Sequence, residues 1–145
     1  MRIVLQRVKR ASVKIDNRIV GQIEKGILLL VGVHRDDTPD KAEFLASKCA
    51  DLRIFTDSED KMNLSLKEVD GAALVISQFT LFGDSSKGRR PSFIEAAPPA
   101  KGNELYLYFI DLLKKEIPIV QTGIFGADMD VELVNDGPVT LILEK

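Results

Sequence analysis

Tryptophan is absent from this 145-residue chain, and cysteine and histidine occur once each, as Cys49 and His34. One cysteine excludes an internal disulfide and fits a reducing compartment. With a single histidine beside it there is no His/Cys cluster to hold zinc, so no metal and no cofactor is expected. A Ser-His-Asp arrangement has equally little to build on, because His34 stands alone after Val31-Gly32-Val33 and reads as a loop histidine. Long apolar runs are missing too. Residues 27–33 and 71–83 are too short to span a bilayer. Met1-Arg2 leads straight into the alternating Ile3-Val4-Leu5-Gln6 with no h-region of a signal peptide, so a cytoplasmic location without a membrane partner is expected. Charge of one sign is not in excess: 20 Lys and Arg face 22 Asp and Glu, for a net charge of −2. Any contact with nucleic acid must therefore come from a local patch.

What is present is an ordinary globular composition, 45% apolar and 29% charged, over a length that suits one domain spanning residues 1–145. Residues 2–8 and 11–15 alternate as strands do, and Asp16-Asn17 is a two-residue turn into a partner strand at 18–23. Residues 26–33 read as a buried strand. Thr38-Pro39 starts a helix, with Thr as N-cap and Pro in the first helical position. Ala42, Leu45, Ala46, Cys49 and Leu52 follow on one face, which makes Cys49 a core residue rather than a nucleophile. Short strands are expected at 53–55 and 62–66, and the longest strand at 72–82. Residues 83–100 break the rhythm and are long for a connection, which favours a functional loop. Pro98-Pro99 opens a second helix carrying Leu105, Tyr108, Phe109, Leu112 and Leu113. Segments 119–122, 130–134 and 139–143 close the chain as strands. About nine strands and two main helices define an α+β fold with a mostly antiparallel, barrel-like sheet.

Four features carry chemistry. Ser77-Gln78-Phe79-Thr80 stands at the end of the 72–82 run. It reads either as a strand that ends in polar residues or as a strand end presenting main-chain N–H groups and small hydroxyls to a carbonyl substrate. Gly137-Pro138 lies between two apolar runs without surplus turn residues, where a cis bond would aim both carbonyls outward as a rigid acceptor surface. Lys87-Gly88-Arg89-Arg90-Pro91-Ser92-Phe93 is a basic cluster. It is either a solvated tip or a contact for an RNA backbone, since Gly and Ser admit phosphates closely and arginine suits their oxygens. Arg7 shares a strand face with Ile3 and Leu5. It either guards a sheet edge or holds backbone carbonyls in place. No carboxylate lies inside Ser77–Thr80 to act as a base, so a hydrolase built on this motif relies on main-chain stabilisation and on help from its substrate.

Several spaced motifs in one order add a family resemblance over essentially the whole chain. They are Met1-Arg2-Ile3-Val4-Leu5-Gln6-Arg7-Val8, Ser77-Gln78-Phe79-Thr80-Leu81, residues 88–93, Thr122-Gly123-Ile124-Phe125-Gly126-Ala127-Asp128-Met129 and Asn135-Asp136-Gly137-Pro138-Val139-Thr140. The chain resembles the D-aminoacyl-tRNA deacylases. The resemblance implies a homodimer of barrel-like subunits that cleaves the ester joining a D-amino acid, or glycine, to the terminal adenosine of tRNA. It implies that Gly137-Pro138 is cis and reaches across the dimer into the partner's site, where it turns away L-aminoacyl-tRNA. By the same resemblance Ser77, Gln78, Phe79 and Thr80 line the aminoacyl-adenosine pocket, with Phe125, Ala127 and Met129 as its wall. The residues' own chemistry adds the expectation that Arg7 holds the Gly137-Pro138 turn through backbone carbonyls and that Lys87, Arg89 and Arg90 contact the tRNA backbone. Two other readings stay open: an editing domain for achiral or L-aminoacyl esters, and a non-catalytic RNA-binding module.

Overall fold

The structure is a computed structural model that describes residues 1–145. The alternation that begins at Arg2 runs through to Ile15, so the two short strands expected there form one, β1 (Arg2–Ile15). Asp16 and Asn17 both take positive φ, +48° and +61°, as a tight primed hairpin turn demands, and return the chain as β2 (Arg18–Ile23). Strand β3 (Gly26–Gly32) continues in the same direction. Then come α1 (Pro39–Asp51), a small hairpin of β4 (Phe55–Thr56) and β5 (Met62–Leu64), and β6 (Ala72–Ser77). After α2 (Pro99–Glu116) the chain ends with β7 (Val120–Thr122) and β8 (Asp130–Glu144). Like β1, β8 fuses two expected strands, with Gly137-Pro138 inside it.

The first strand organises the sheet. Along one edge it pairs with β3 over Arg2–Val8 and with β2 over Ala11–Ile15, and β8 runs antiparallel along its other edge. Beyond β3 the sheet continues to β6 and then β7 through parallel pairings. The sheet is thus mostly antiparallel, as expected, with two parallel pairs made possible by the crossovers through α1 and α2. Its far ends curl together. A Cβ on Gly21 of β2 would lie 2.7 Å from the Thr122 carbonyl oxygen of β7, so the backbones meet there almost without side chains between them. This gives the sheet its nearly closed, barrel-like form.

Two apolar cores follow from the alternation of side chains. Ile3, Leu5, Ile27, Leu29, Ala73 and Val75 face the two helices, while Val8, Ala11, Val13, Leu28, Leu74 and Ile76 fill the barrel side. Strand β1 serves both because its register against β8 slips between Val8 and Arg10. One extra residue there transfers the odd-numbered positions from the helix side to the barrel side.

Helix α1 buries Ala42, Leu45, Ala46 and Cys49 on the expected face. Thr38 takes the N-cap position, but its hydroxyl bonds to the Asp40 carboxylate instead of capping the backbone. On α2 the buried stripe is Leu105, Tyr106, Phe109, Ile110 and Leu113, whereas Tyr108 turns outward to Glu43. The Tyr106 hydroxyl donates to the Val75 carbonyl at 2.8 Å in the core. That carbonyl also accepts from Gly123 N–H at 3.2 Å, so it keeps one partner if the tyrosine is truncated. Tyr106→Phe should therefore destabilise the fold by only about 1 kcal/mol. Urea unfolding measures it, and a loss of several kcal/mol would show that the hydroxyl does more than this one bond.

Candidate active site

The 72–82 run does not remain a strand. Parallel pairing with β3 ends at Ser77, and Gln78 N–H makes a last bond to the Val31 carbonyl at 2.8 Å. Strand β3 stops at Gly32 and offers no further partners, so residues Phe79–Phe82 wind into a single 3₁₀ turn. The first N–H groups of such a turn have no acceptor within it. The polar motif therefore sits where a buried strand breaks into a turn whose opening amides are free for a ligand.

Beside this break lies a cavity of about 570 Å³, lined on one side by Ser77, Gln78 and Phe79 and on the other by Phe125, Ala127 and Met129. The fold thus brings the two distant motifs together, because β6 and β7 are neighbours and the 123–129 loop leaves the end of β7. Thr80 is exposed and does not line the cavity. Its hydroxyl instead accepts a bond from the Gln78 amide. Phe93, Ala96, Ala97, Pro99, Gly126 and Asp128 complete the wall. Of these, Phe93 falls in the cluster read as an RNA contact. In the structure its ring meets Phe79 edge to face at 5.2 Å.

Glycines set the far wall. A Cβ on Gly123 would collide with the Met129 sulfur, and one on Gly102 of α2 would touch the Phe125 ring at 3.4 Å. Phe125 also leans on Tyr106, with ring centroids 6.0 Å apart. The wall carries no histidine, cysteine, lysine or arginine. Its one charged residue is Asp128, exposed, a carboxylate that the motif alone did not reveal because it arrives from the other end of the chain.

The bypassed side chains have structural work. Cys49 is buried in the helix-side core, and burial pushes its thiol up to about 12. The ring of His34 accepts from the Asp36 N–H at 3.1 Å through Nδ1 and meets Glu95 at 3.0 Å through Nε2. A histidine so held pins a loop. Its backbone N–H donates to Asp37, which also takes the Met1 ammonium at 2.6 Å. Burial works to raise the Asp37 carboxyl. The bonds from Met1, His34 and Lys41 outweigh it and hold the group below the usual carboxylate range.

Gly137-Pro138 is cis and exposed, and it does not line the cavity of its own chain. Behind it Arg7 is 8% exposed, in the middle of β1 and not at a sheet edge. Its Nε donates to the Asp136 carbonyl at 3.3 Å and lies 3.2 Å from the Asp136 carboxylate, while Nη1 donates to the Ile54 carbonyl. Of the two roles open to Arg7, the geometry is that of a brace on backbone carbonyls. Gly137 has φ +114°, and a Cβ there would stand 2.5 Å from Arg7 Nη2, so only glycine lets the guanidinium pass beneath the turn.

Lys87, Arg89 and Arg90 occupy an exposed loop closed at its base by paired Asp84 and Ser92, with Gly88 at φ +71° near the tip. None of the three has a carboxylate within salt-bridge distance. The cavity wall and this loop therefore differ in sign. One is apolar with a single negative group, and the other is an uncompensated positive strip.

The fold thus holds a buried strand end that breaks into a turn with unpaired opening amides, an aromatic cavity without histidine, cysteine, lysine or arginine, and a braced Gly-Pro step. Known proteins share its sequence and its fold. A family model described as D-Tyr-tRNA(Tyr) deacylase matches residues 4–144, and the chain belongs to this family. It is 59% identical over 145 residues to a D-aminoacyl-tRNA deacylase of Exiguobacterium sibiricum, covering 100% of both chains. It is 56% identical to the Clostridium acetobutylicum protein of the same name, covering 100% of this chain and 97% of that one. A solved structure described as c-Myc DNA Unwinding Element Binding Protein superposes with a TM-score of 0.94 at 36% identity, over 100% of this chain and 99% of that one. A probable eukaryotic D-amino acid tRNA deacylase shares the fold, with a TM-score of 0.82 at 20% identity over 98% and 97% of the two chains.

The Arg7 brace yields a direct expectation. A lysine offers one point charge in place of a planar fork, so Arg7→Lys leaves the Ile54 or the Asp136 carbonyl without its donor. Stability should fall by about 1–3 kcal/mol in urea unfolding, with faster amide exchange near residues 135–139. Wild-type stability and exchange in this variant would show that the guanidinium does not brace the turn.

Proposed function

We propose that this chain hydrolyses the ester linking a D-amino acid, or glycine, to the terminal adenosine of tRNA, acting in the cytoplasm as a homodimer in translation quality control. The observation that carries this reading is the cavity itself. The Ser77–Phe79 strand end meets Phe125, Ala127 and Met129 across a space with no histidine, cysteine or lysine, so the Ser77 hydroxyl has no base beside it of the kind a covalent mechanism uses. Membership of the deacylase family supports the substrate class.

The chemistry suits such a site. An aminoacyl ester is already activated, and the neighbouring ribose hydroxyl can assist the attacking water. Water adds to the ester carbonyl, the tetrahedral oxyanion collapses, and the ribose oxygen leaves with a proton to give free amino acid and tRNA. The protein's part is to orient the ester and to stabilise the oxyanion through the free N–H groups at the start of the turn, led by that of the cavity-lining Phe79. Aromatic faces from Phe79, Phe93 and Phe125 suit the adenosine. A substrate with a cationic aminoacyl end and a polyanionic backbone matches a cavity with one negative group and a loop of free cations.

Selectivity then falls to Gly137 and Pro138. Many D side chains must be accepted, so a fitted side-chain pocket would discriminate poorly, whereas a rigid wall in the space of the L side chain excludes every L residue alike. Backbone serves best for such a wall. Proline fixes its φ, glycine lets the chain approach without a Cβ, and Arg7 holds the step from behind. The step is exposed and absent from the cavity of its own chain, which supports delivery into the partner subunit's cavity. Glycine has no side chain to exclude and passes.

Two measurements test this. D-aminoacyl-tRNA and glycyl-tRNA should be cleaved, and L-aminoacyl-tRNA rejected by about 100-fold, the effect of a clash of about 3 kcal/mol. Efficient cleavage of the L substrate would favour an editing domain for L esters. Binding of nucleic acid without any hydrolysis would favour the non-catalytic module, a reading in keeping with the DNA-binding description of one structural neighbour. In the second measurement, Lys87, Arg89 and Arg90 are replaced together by alanine. The salt dependence of tRNA binding should flatten by about two to three units of slope. Cleavage of a minimal D-aminoacyl-adenosine should stay as in the wild type, and an equal loss on both substrates would move the loop from backbone binding into the pocket.

A further inference from the structure

Arg2 belongs to none of the chemistry-bearing features, yet it touches the reacting end of the molecule at three points. In the sheet it stands opposite Gly32 of β3 on one side and Glu144 of β8 on the other, so these residues form one row across three strands. The Phe79–Phe82 turn rests on that row. A Cβ on Gly32 would lie 3.1 Å from the Gln78 carbonyl oxygen and from Leu81 Cβ, and 3.2 Å from the Phe82 ring. Over this seat the Arg2 guanidinium donates from Nη1 to the Leu81 carbonyl at 2.6 Å. It stacks on Phe82, with Cζ 5.0 Å from the ring centroid, and pairs through Nε with the Glu144 carboxylate. His34 also meets the Phe82 ring, edge to face, with centroids 5.2 Å apart.

A single 3₁₀ turn is a weak element, and the bond from Leu81 N–H to the Gln78 carbonyl is long, at 3.3 Å. What holds it is therefore external: glycine below, Arg2 at its carbonyl end, and aromatic contacts around Phe82. A planar cation at the carbonyl end of a turn complements the carbonyls there and grips through both hydrogen bond and stacking.

We propose that Arg2 is a positioning residue for the deacylation. Through Leu81 and Phe82 it fixes the height of the turn whose first amides receive the oxyanion. The inference rests on the reading that those amides act on the ester. Oxyanion donors tolerate little displacement, since a misplacement of about 1 Å slows a reaction by about 100-fold. Loss of the grip should therefore appear in kcat and leave ground-state binding, which the aromatic walls provide, nearly intact.

The experiment measures kcat and KM separately on a minimal D-aminoacyl-adenosine, with amide exchange followed along the whole chain. Arg2→Ala should lower kcat by about 10- to 100-fold with KM within about threefold of wild type. Exchange should quicken over residues 78–83 and stay unchanged in the helices. Arg2→Lys keeps a donor for Leu81 and should recover part of kcat. Glu144→Gln should leave kcat at the wild-type value, because its pair with Arg2 is exposed. If Arg2→Ala does not fold, Phe82→Leu removes the stacked ring while keeping apolar bulk, and should give the same local exchange with a smaller fall in kcat. Wild-type kcat and wild-type exchange at 78–83 would overturn the proposal. So would a loss of kcat accompanied by faster exchange throughout the chain. A wild-type enzyme that cleaves no D-aminoacyl ester would overturn the function instead, and exchange at 78–83 would still decide whether Arg2 holds the turn.

Discussion

The fourteen-residue strand β1 is the constraint on which the rest depends. Pairing along both edges, it joins β2, β3 and β8, and through β3 it fixes where β6 can lie. A strand this long cannot stay flat against one core. The slip between Val8 and Arg10 lets its first half pack on the helices and its second half fill the barrel. Both arginines that hold backbone carbonyls at the turn and beside the Gly-Pro step project from that first half. Arg7 reaches the Asp136 carbonyl beside the Gly-Pro step, and Arg2 reaches the Leu81 carbonyl on the turn. One rigid element thus braces two backbone features that are far apart in sequence.

In the proposed reading backbone, not side chain, carries the site, in keeping with a cavity lined without histidine, cysteine, lysine or arginine. Main-chain amides and carbonyls have no rotamers to freeze, so their geometry is set once the fold is set. The requirement then passes to whatever fixes the backbone. Here that is a set of glycines where chains touch, such as Gly32 beneath the turn and Gly137 above Arg7, together with planar cations that bind carbonyls from behind. A side chain at such a glycine would displace the backbone or the arginine packed against it.

Much of this was legible in the chain. Asp16-Asn17 announced a hairpin because few residue pairs tolerate two positive φ angles in succession. The spacing of Ala42, Leu45, Ala46 and Cys49 marked a helix face, which the structure buries. The break after Ser77 was less visible. Residues 72–82 remain apolar past the point where pairing stops, and the end of a strand depends on the length of its neighbour as well as on its own composition. Thr80 lies one residue further along the turn than the cavity-lining Phe79 and falls outside the cavity.

By itself the sequence determined the fold class, most of the element types and, through its spaced motifs, the family. Periodicity and residue chemistry are local, and they survive in one dimension. Tertiary structure alone decided that Phe93 and Asp128 share a wall with Ser77, that β3, β6 and β7 run parallel, and that Arg2 grips the turn. Each of these joins segments separated by a crossover, a loop or most of the chain. Their meeting is set by strand order and by the twist of the sheet, which no local pattern records.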